Sequence, residues 1–399
     1  MHDRHTQVMR ELGRRADDIR AWRRGIHHYP ELAFDEHKTS ALVAQLLEQW
    51  GYEVHRGLAA TGVVGVLRRG TGPRRLGLRA DMDALPIQEL VGRPYGSCRP
   101  GLMHACGHDG HTAMLLGAAH FLAEQGEFDG TLHLIFQPGE EGAGGAKRMM
   151  DEGLFERFPC DSIFAMHNAP LHRQGELQFR EGPTMASADY ATVTLHGVGG
   201  HGGMPHLATD PLVAAAALVT ALQTVVSRNC DPQIASTVTV ATLHAGDSNI
   251  VIPNQAVMQL SVRALDQAQR DLMVRRVEEL AMAQARSFGV RAEIEWRQGY
   301  PVLVNWPEPT RLAYQSALAR FGAERCVPQT PAVTASEDFA FMLEKVPGAY
   351  FFIGNGDAPG SCVVHHPGYD FNDDNLVIGA AMWVGLAEDF LVRDTQAQG

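Results

Sequence analysis

The alternation of short apolar strands with helix-length segments constrains this chain more than any other feature. Residues 61–67 and 75–80 read as strands around a Gly70-Thr71-Gly72-Pro73 turn. A helix is expected over 113–125, a strand over 131–136, a helix over 145–152, and a strand over 162–166 ending at His167. Upstream, Val8, Leu12, Ile19, Trp22 and Ile26 share a helical period, so one helix is expected over 8–28, stopped by Pro30. A second is expected over 36–50, stopped by Gly51. Such alternation predicts a largely parallel sheet covered by helices. Ligands of these sheets gather beyond the carboxyl ends of the strands. Asp83, Glu140, Glu141 and His167 all fall at such ends.

The pattern changes near Met185. Strand, helix, strand, strand, helix and strand are expected over 189–196, 211–227, 236–244, 257–265, 271–288 and 291–297. That order is the ferredoxin-like split unit. It predicts an inserted α+β domain over 188–300, with 1–187 and 301–399 forming the main α/β domain. After it come helices following Pro309 and Ser336, a strand over 349–353 and a closing helix after Asp374. Ser336 reads as an N-cap. Gly197, Gly199 and Gly202 form a GxGxxG after a strand, but Pro205 and Pro211 delay the helix. A dinucleotide site is therefore not expected. The glycines suit close backbone approach, with His201 exposed.

The charged fraction is 20% and the hydrophobic fraction 45%, ordinary for a globular protein. A net charge of −12 without a basic stripe argues against nucleic acid as partner. The six cysteines are scattered, so no disulfide framework is expected and the expected compartment is the cytoplasm. The first 24 residues are too charged for a secretory signal, and no run of eighteen apolar residues predicts a membrane span.

The chemistry concentrates in 103–112, where Cys106, His104, His108, His111 and Asp109 lie between glycines. The Cys106–His108 spacing can aim both side chains at one point, which suits a metal. Cys106 could otherwise be a small buried hydrophobe or a nucleophile activated by His108. The Glu140-Glu141 pair offers a division of labour, one carboxylate holding an ion and the other taking a proton from water. His167 and one of His365 and His366 complete the donors, and spacing alone does not choose between the last two. Five protein ligands exceed a closed tetrahedral site and suit two adjacent ions sharing a bridge. Thiolate and imidazole favour Zn2+, Co2+ or Ni2+, while the carboxylate admits Mn2+.

The segments 79–86 (RADMDALP), 103–111 (MHACGHDGH), 136–142 (FQPGEEG) and 365–371 (HHPGYDF) together resemble the successive motifs of M20-type metallopeptidases. The likeness is to the amidohydrolase branch, which includes hippurate hydrolases, N-acyl-amino-acid amidohydrolases and plant auxin-conjugate hydrolases. It implies a catalytic domain of zinc-exopeptidase type with an inserted lid and dimerisation domain. It implies Cys106, His108, Glu141, His167 and His365 as ligands of two divalent ions, with Cys106 in the bridging place. Asp81 stands where the wider superfamily has a metal-binding histidine, and His108 substitutes for it. Glu140 would be the general base and Asp83 a supporting carboxylate. His201 would cross a dimer interface to the oxyanion, Asn249 and Arg263 would hold a substrate carboxylate, and Glu337 would stand behind the site. The implied activity is hydrolysis of N-acyl amino acids by a homodimer or dimer-based oligomer. Alternatives on the same scaffold are a carboxypeptidase, a dipeptidase or an N-carbamoyl-amino-acid hydrolase. A non-catalytic metal-binding protein would have no use for Glu140.

Overall fold

The computed structural model describes residues 2–90, 92–358 and 360–392. The chain forms two compact units. The first comprises Met1–Gly182, Val304–Pro331 and Phe341–Gly399, the second Pro183–Leu303 and Ala332–Ala340. The second unit thus begins earlier than residue 188 and takes in a segment beyond residue 300. The reason is backbone pairing: the Ala186 N–H donates to the carbonyls of Val333 (3.1 Å) and Ala335 (2.9 Å).

In the first unit α1 (His2–Arg14) and α2 (Ala16–His28) replace the single expected helix, broken at Arg15. They are followed by α3 (His37–Gln49), β1 (Glu53–Leu58), β2 (Gly62–Arg69), β3 (Arg75–Asp81), α4 (His108–Gln125), β4 (Gly130–Gln137), α5 (Gly145–Asp151) and β5 (Ser162–Pro170). The eight-stranded sheet runs β1-β2-β4-β3-β5, then Gly348–Gly356, Leu177–Gln178 and Cys326–Val327. Its centre is parallel: β3 pairs with β4 and β5, and β5 with Gly348–Gly356. The β1-β2-β4 side is antiparallel. Every residue of β4 is buried, as expected of a strand covered on both faces. The core joins Leu76, Leu78, Leu132, Leu134 and Phe164 of the sheet to Leu115 and Leu122 of α4 and to Trp383 of the helix Asn375–Phe390. Because β3, β4 and β5 are parallel, their carboxyl ends open on one edge. That edge carries the residues after Asp81 and Gln137, and the last turn of β5.

The second unit has a four-stranded antiparallel sheet in the order Ser236–His244, Gln255–Ala264, Asp189–His196, Arg291–Gln298. Asp189–His196 alternates buried and half-buried residues, one face lying on the helices Pro211–Asn229 and Gln267–Ser287. Pro211–Asn229 is long and apolar enough to cross a membrane by length and composition, although Thr220, Gln223, Thr224 and Ser227 interrupt its apolar residues. Its buried positions, Ala214, Ala215, Leu218, Leu222 and Val225, form one helical stripe in this unit's core. Gly200–His201 pairs with Val251–Ile252 in a separate ribbon, and no helix opens on the glycine run before Pro211 apart from one turn at Pro205–Leu207.

Candidate metal centre

The centre is assembled from the bottom of the loop after β3 upward. Asp81 ends β3 and is fully occupied: Arg79 donates to its Oδ2 at 2.6 Å and His111 Nδ1 lies 2.6 Å from its Oδ1. Burial opposes its charge, but His108, Arg79 and His111 outweigh that and hold Asp81 well below the usual carboxylate range. The backbone N–H of Asn168 donates to His111 Nε2 at 3.0 Å. His111 therefore carries its proton on Nδ1 and has both nitrogens engaged, so it supports rather than ligates.

The helix expected over 113–125 starts earlier than its spacing suggests. This helix, α4, begins at His108, and Cys106 precedes the left-handed Gly107 cap (φ +90). A Cβ on Gly107 would sit 2.5 Å from Asn168 Nδ2 and 2.6 Å from the Tyr369 hydroxyl, so the turn needs glycine twice over. Asn168 Nδ2 donates to the Cys106 carbonyl at 2.6 Å, and the Tyr369 hydroxyl donates to Asn168 Oδ1. Behind the first turn, Asp109 is buried against Arg23 Nε at 2.8 Å and His27 Nδ1 at 2.9 Å. The thiol of Cys106 thus sits at the positive end of a helix that is fixed from both sides.

β5 runs on to Pro170, so His167 lies inside the strand, paired with Phe352, rather than at its end. Its Nδ1 is 2.7 Å from the Asn168 carbonyl, which leaves the Nε2 lone pair facing Cys106 Sγ at 3.4 Å. His108 is arranged the same way. Nδ1 lies 3.2 Å from Asp83 Oδ1, and Nε2 is buried without a hydrogen-bond partner among the described residues. Asp83 Oδ2 also accepts the Glu141 N–H at 2.9 Å, so one carboxylate orients two donors. Of the adjacent histidines, His365 reaches the cluster, with Nε2 3.2 Å from Glu141 Oε1. His366 Nδ1 instead accepts the Gly368 N–H. His365 has a left-handed backbone (φ +63), uncommon for a non-glycine residue, and its N–H donates to the Ala105 carbonyl at 2.7 Å.

The donors fall into two triads, Cys106–His108–His167 and Cys106–Glu141–His365, each within 4.8 Å, with Cys106 common to both. Glu140 lies beside His108 and Glu141 in a third group of the same span. Burial, together with the Glu141 and Glu140 carboxylates, pushes the Cys106 thiol well above its ordinary value. Burial works to lower His108, yet Asp81, Asp83 and Glu141 raise it to about 10. His167 is driven well below its ordinary value by burial and by His111. For Cys106 and His108, thiolate and neutral imidazole become the stable forms only when a cation replaces the protons, whereas His167 already presents a neutral ring. The orphaned His108 Nε2 and the chemistry of the donor set therefore fit divalent metal.

The model for peptidase family M20/M25/M40 matches residues 77–389. The chain belongs to that family. Among relatives, this M20 chain is 42% identical to a Campylobacter jejuni hippurate hydrolase over 92% of its length and 95% of the relative's. It is 36% identical to thermostable carboxypeptidase 1 of Saccharolobus solfataricus, over 92% and 94%. A solved Bacillus subtilis structure, called a dinuclear metal binding peptidase from the M20 family, matches at TM-score 0.80 and 32% identity, covering 93% and 97%. The M20 chain is thus a hydrolase of amide bonds that uses divalent metal.

The remaining expected residues lie in the second unit. His201 and Asn249 are exposed, at one strand of the ribbon and just before the other. Arg263 is half-buried in Gln255–Ala264 and donates to Ser336 Oγ at 3.2 Å and the Thr334 carbonyl at 3.3 Å. Ser336 is not an N-cap, because the next helix starts at Phe339 and Glu337 Oε1 accepts the Phe339 N–H. His111, Asn168 and Tyr369 were not assigned from sequence, though each sits within or beside a donor-bearing motif.

Proposed function

We propose that this enzyme hydrolyses the amide bond of N-acyl amino acids, and that it does so with two divalent ions per subunit, drawn from Zn2+, Mn2+, Co2+ and Ni2+. The observation that carries the reading is Glu140: a buried carboxylate beside both triads that belongs to neither. Bound divalent ions supply polarisation of the acyl carbonyl and a lowered pKa for water. Glu140 takes the proton of the attacking water and delivers it to the leaving amine nitrogen. Asp83 keeps the His108 Nε2 lone pair and the Glu141 backbone aimed inward. In this reading the second unit acts as lid and dimerisation domain, with Arg263 and Asn249 for the substrate carboxylate and His201 crossing to the oxyanion of the other subunit. Exposed Val198, Met204, Leu207, Ile250 and Val251 around the His201 ribbon support a homodimer. The six free cysteines support a cytoplasmic setting.

Hippurate is N-benzoylglycine, and the greater identity to a hippurate hydrolase favours an N-acyl amino acid over a peptide. The carboxypeptidase relative keeps release of a C-terminal residue as the second reading. Glu140→Gln, assayed on N-benzoylglycine and on a dipeptide, is expected to keep its metal and lose turnover by about a thousandfold or more. Full turnover in that variant would remove the base assignment. Faster cleavage of the dipeptide by the unmodified enzyme would favour the second reading.

A further inference from the structure

We infer that Glu36 is a positioning residue for this reaction: its buried carboxylate, steadied by Thr61, grips the backbone of the turn that carries Glu140. The inference rests on reading Glu140 as the base. That turn is intrinsically soft, since Gly139, Gly142 and Gly144 all have positive φ (+62, +74 and +70). Its internal hydrogen bonds, Gly142 N–H to the Glu140 carbonyl and Gly145 N–H to the Gly139 carbonyl, close it on itself. They do not fix it to the rest of the centre.

Two outside carboxylates do. The N–H after Glu140, that of Glu141, goes to Asp83 Oδ2 at 2.9 Å. The N–H before it, that of Gly139, goes to Glu36 Oε1, also at 2.9 Å. The Thr61 hydroxyl donates to the other oxygen of Glu36. Glu140 is thereby held between clamps on the N–H groups of both neighbouring residues. The neighbourhood of Glu36 adds to the grip. The Phe34 ring fills the place a Cβ on Gly139 would take, 2.9 Å from it, and Arg148 of α5 lies over that ring at 4.6 Å. Phe34 is itself left-handed (φ +66), a strained conformation for a bulky residue that persists only where the surroundings impose it.

The obvious structural role for Glu36 is already filled. It occupies the N-cap position of α3, yet its side chain makes no capping hydrogen bond. The Glu31 carboxylate caps instead, accepting the N–H groups of Lys38 and Thr39 at 3.0 and 2.9 Å. Glu36 is fully buried, and no ion pair among the described residues neutralises it. A buried carboxylate without a cation is costly. Here its oxygens are satisfied by the Gly139 N–H and the Thr61 hydroxyl.

The test compares Glu36→Ala, Glu36→Gln and Thr61→Val with the unmodified holoenzyme on N-benzoylglycine, with bound metal measured for each. Glu36→Ala is expected to lower kcat about 10–100-fold, with KM within about twofold and metal content unchanged. Glu36→Gln keeps an oxygen for the Gly139 N–H and is expected to return to within about threefold of the original kcat. Thr61→Val, should Glu36→Ala fail to fold, is expected to lower kcat about 3–10-fold at unchanged KM. Unchanged kcat in the foldable variants, equal loss in Ala and Gln, or a fall explained by lost metal would overturn the inference. Glu140→Gln separates this from the parent reading: an inactive Glu140→Gln beside a fully active Glu36→Ala removes only the role of Glu36, while an active Glu140→Gln removes the base itself.

Discussion

Asp83→Asn is the perturbation whose consequence follows most directly from the geometry. The carboxylate serves two donors, His108 Nδ1 at 3.2 Å and the Glu141 N–H at 2.9 Å. An asparagine offers one oxygen for both. If that oxygen keeps the Glu141 N–H, the amide NH2 faces His108 Nδ1. The imidazole must then carry its proton on Nε2, the buried nitrogen that has no hydrogen-bond partner among the described residues. If the oxygen keeps His108, the Glu141 N–H meets an NH2 group, and the backbone of a donor residue shifts. Either outcome forfeits one hydrogen bond to a charged group, worth about 1.5–3 kcal/mol, or about 10–100-fold in metal affinity. Titration of metal-free protein against a competing chromophoric chelator reads this directly, with circular dichroism to confirm an intact fold. Affinity within twofold of the unmodified protein would refute the claim that Asp83 orients the site.

Arg263→Ala is expected to raise KM for N-benzoylglycine about 10–100-fold while sparing an analogue without the carboxylate, and equal effects on both would dismiss carboxylate recognition. Glu36 also predicts a pH effect on stability. Burial raises it to about 7, with the Thr61 hydroxyl pulling against that and the Asp83 charge adding to it, from an ordinary value of 4.5. A carboxylate raised by folding contributes its full stability below pH 4.5 and loses it as pH rises through 7. The loss is on the order of 3 kcal/mol. Glu36→Gln has no such group, so its melting temperature should rise relative to the unmodified metal-free protein by several degrees between pH 4.5 and 8, and a constant difference would contradict the prediction.

Much of the architecture was legible because β3, β4 and β5 are buried strands bounded by turn residues, with Asp83 and the Glu140-Glu141 pair soon after β3 and β4 and His167 within β5. What the pattern hid has physical causes. β1 is an edge strand reading Glu-Val-His-Arg-Gly-Leu, too polar to announce itself. The break at Arg15 lies inside an apolar period that runs through it unaltered. α4 is buried on nearly every side, so it has no amphipathic stripe, and its first turn is made of polar residues engaged with the centre. Spacing left His365 and His366 open and the resemblance pointed to His365, while the geometry that presents it, a positive φ and a loop hydrogen bond, has no sequence signature. Glu36 read as a helix start, because its partner Gly139 lies 103 residues away.

The most direct test of the central claim is turnover of N-benzoylglycine by protein stripped with chelator and then titrated with a divalent ion, in parallel with Cys106→Ala. Stripped protein should be inactive, activity should return as ions bind up to two per chain, and Cys106→Ala, having lost the donor common to both triads, should recover neither tight binding nor turnover. Hydrolysis that survives complete removal of metal, or full recovery without the Cys106 sulfur, would contradict the account.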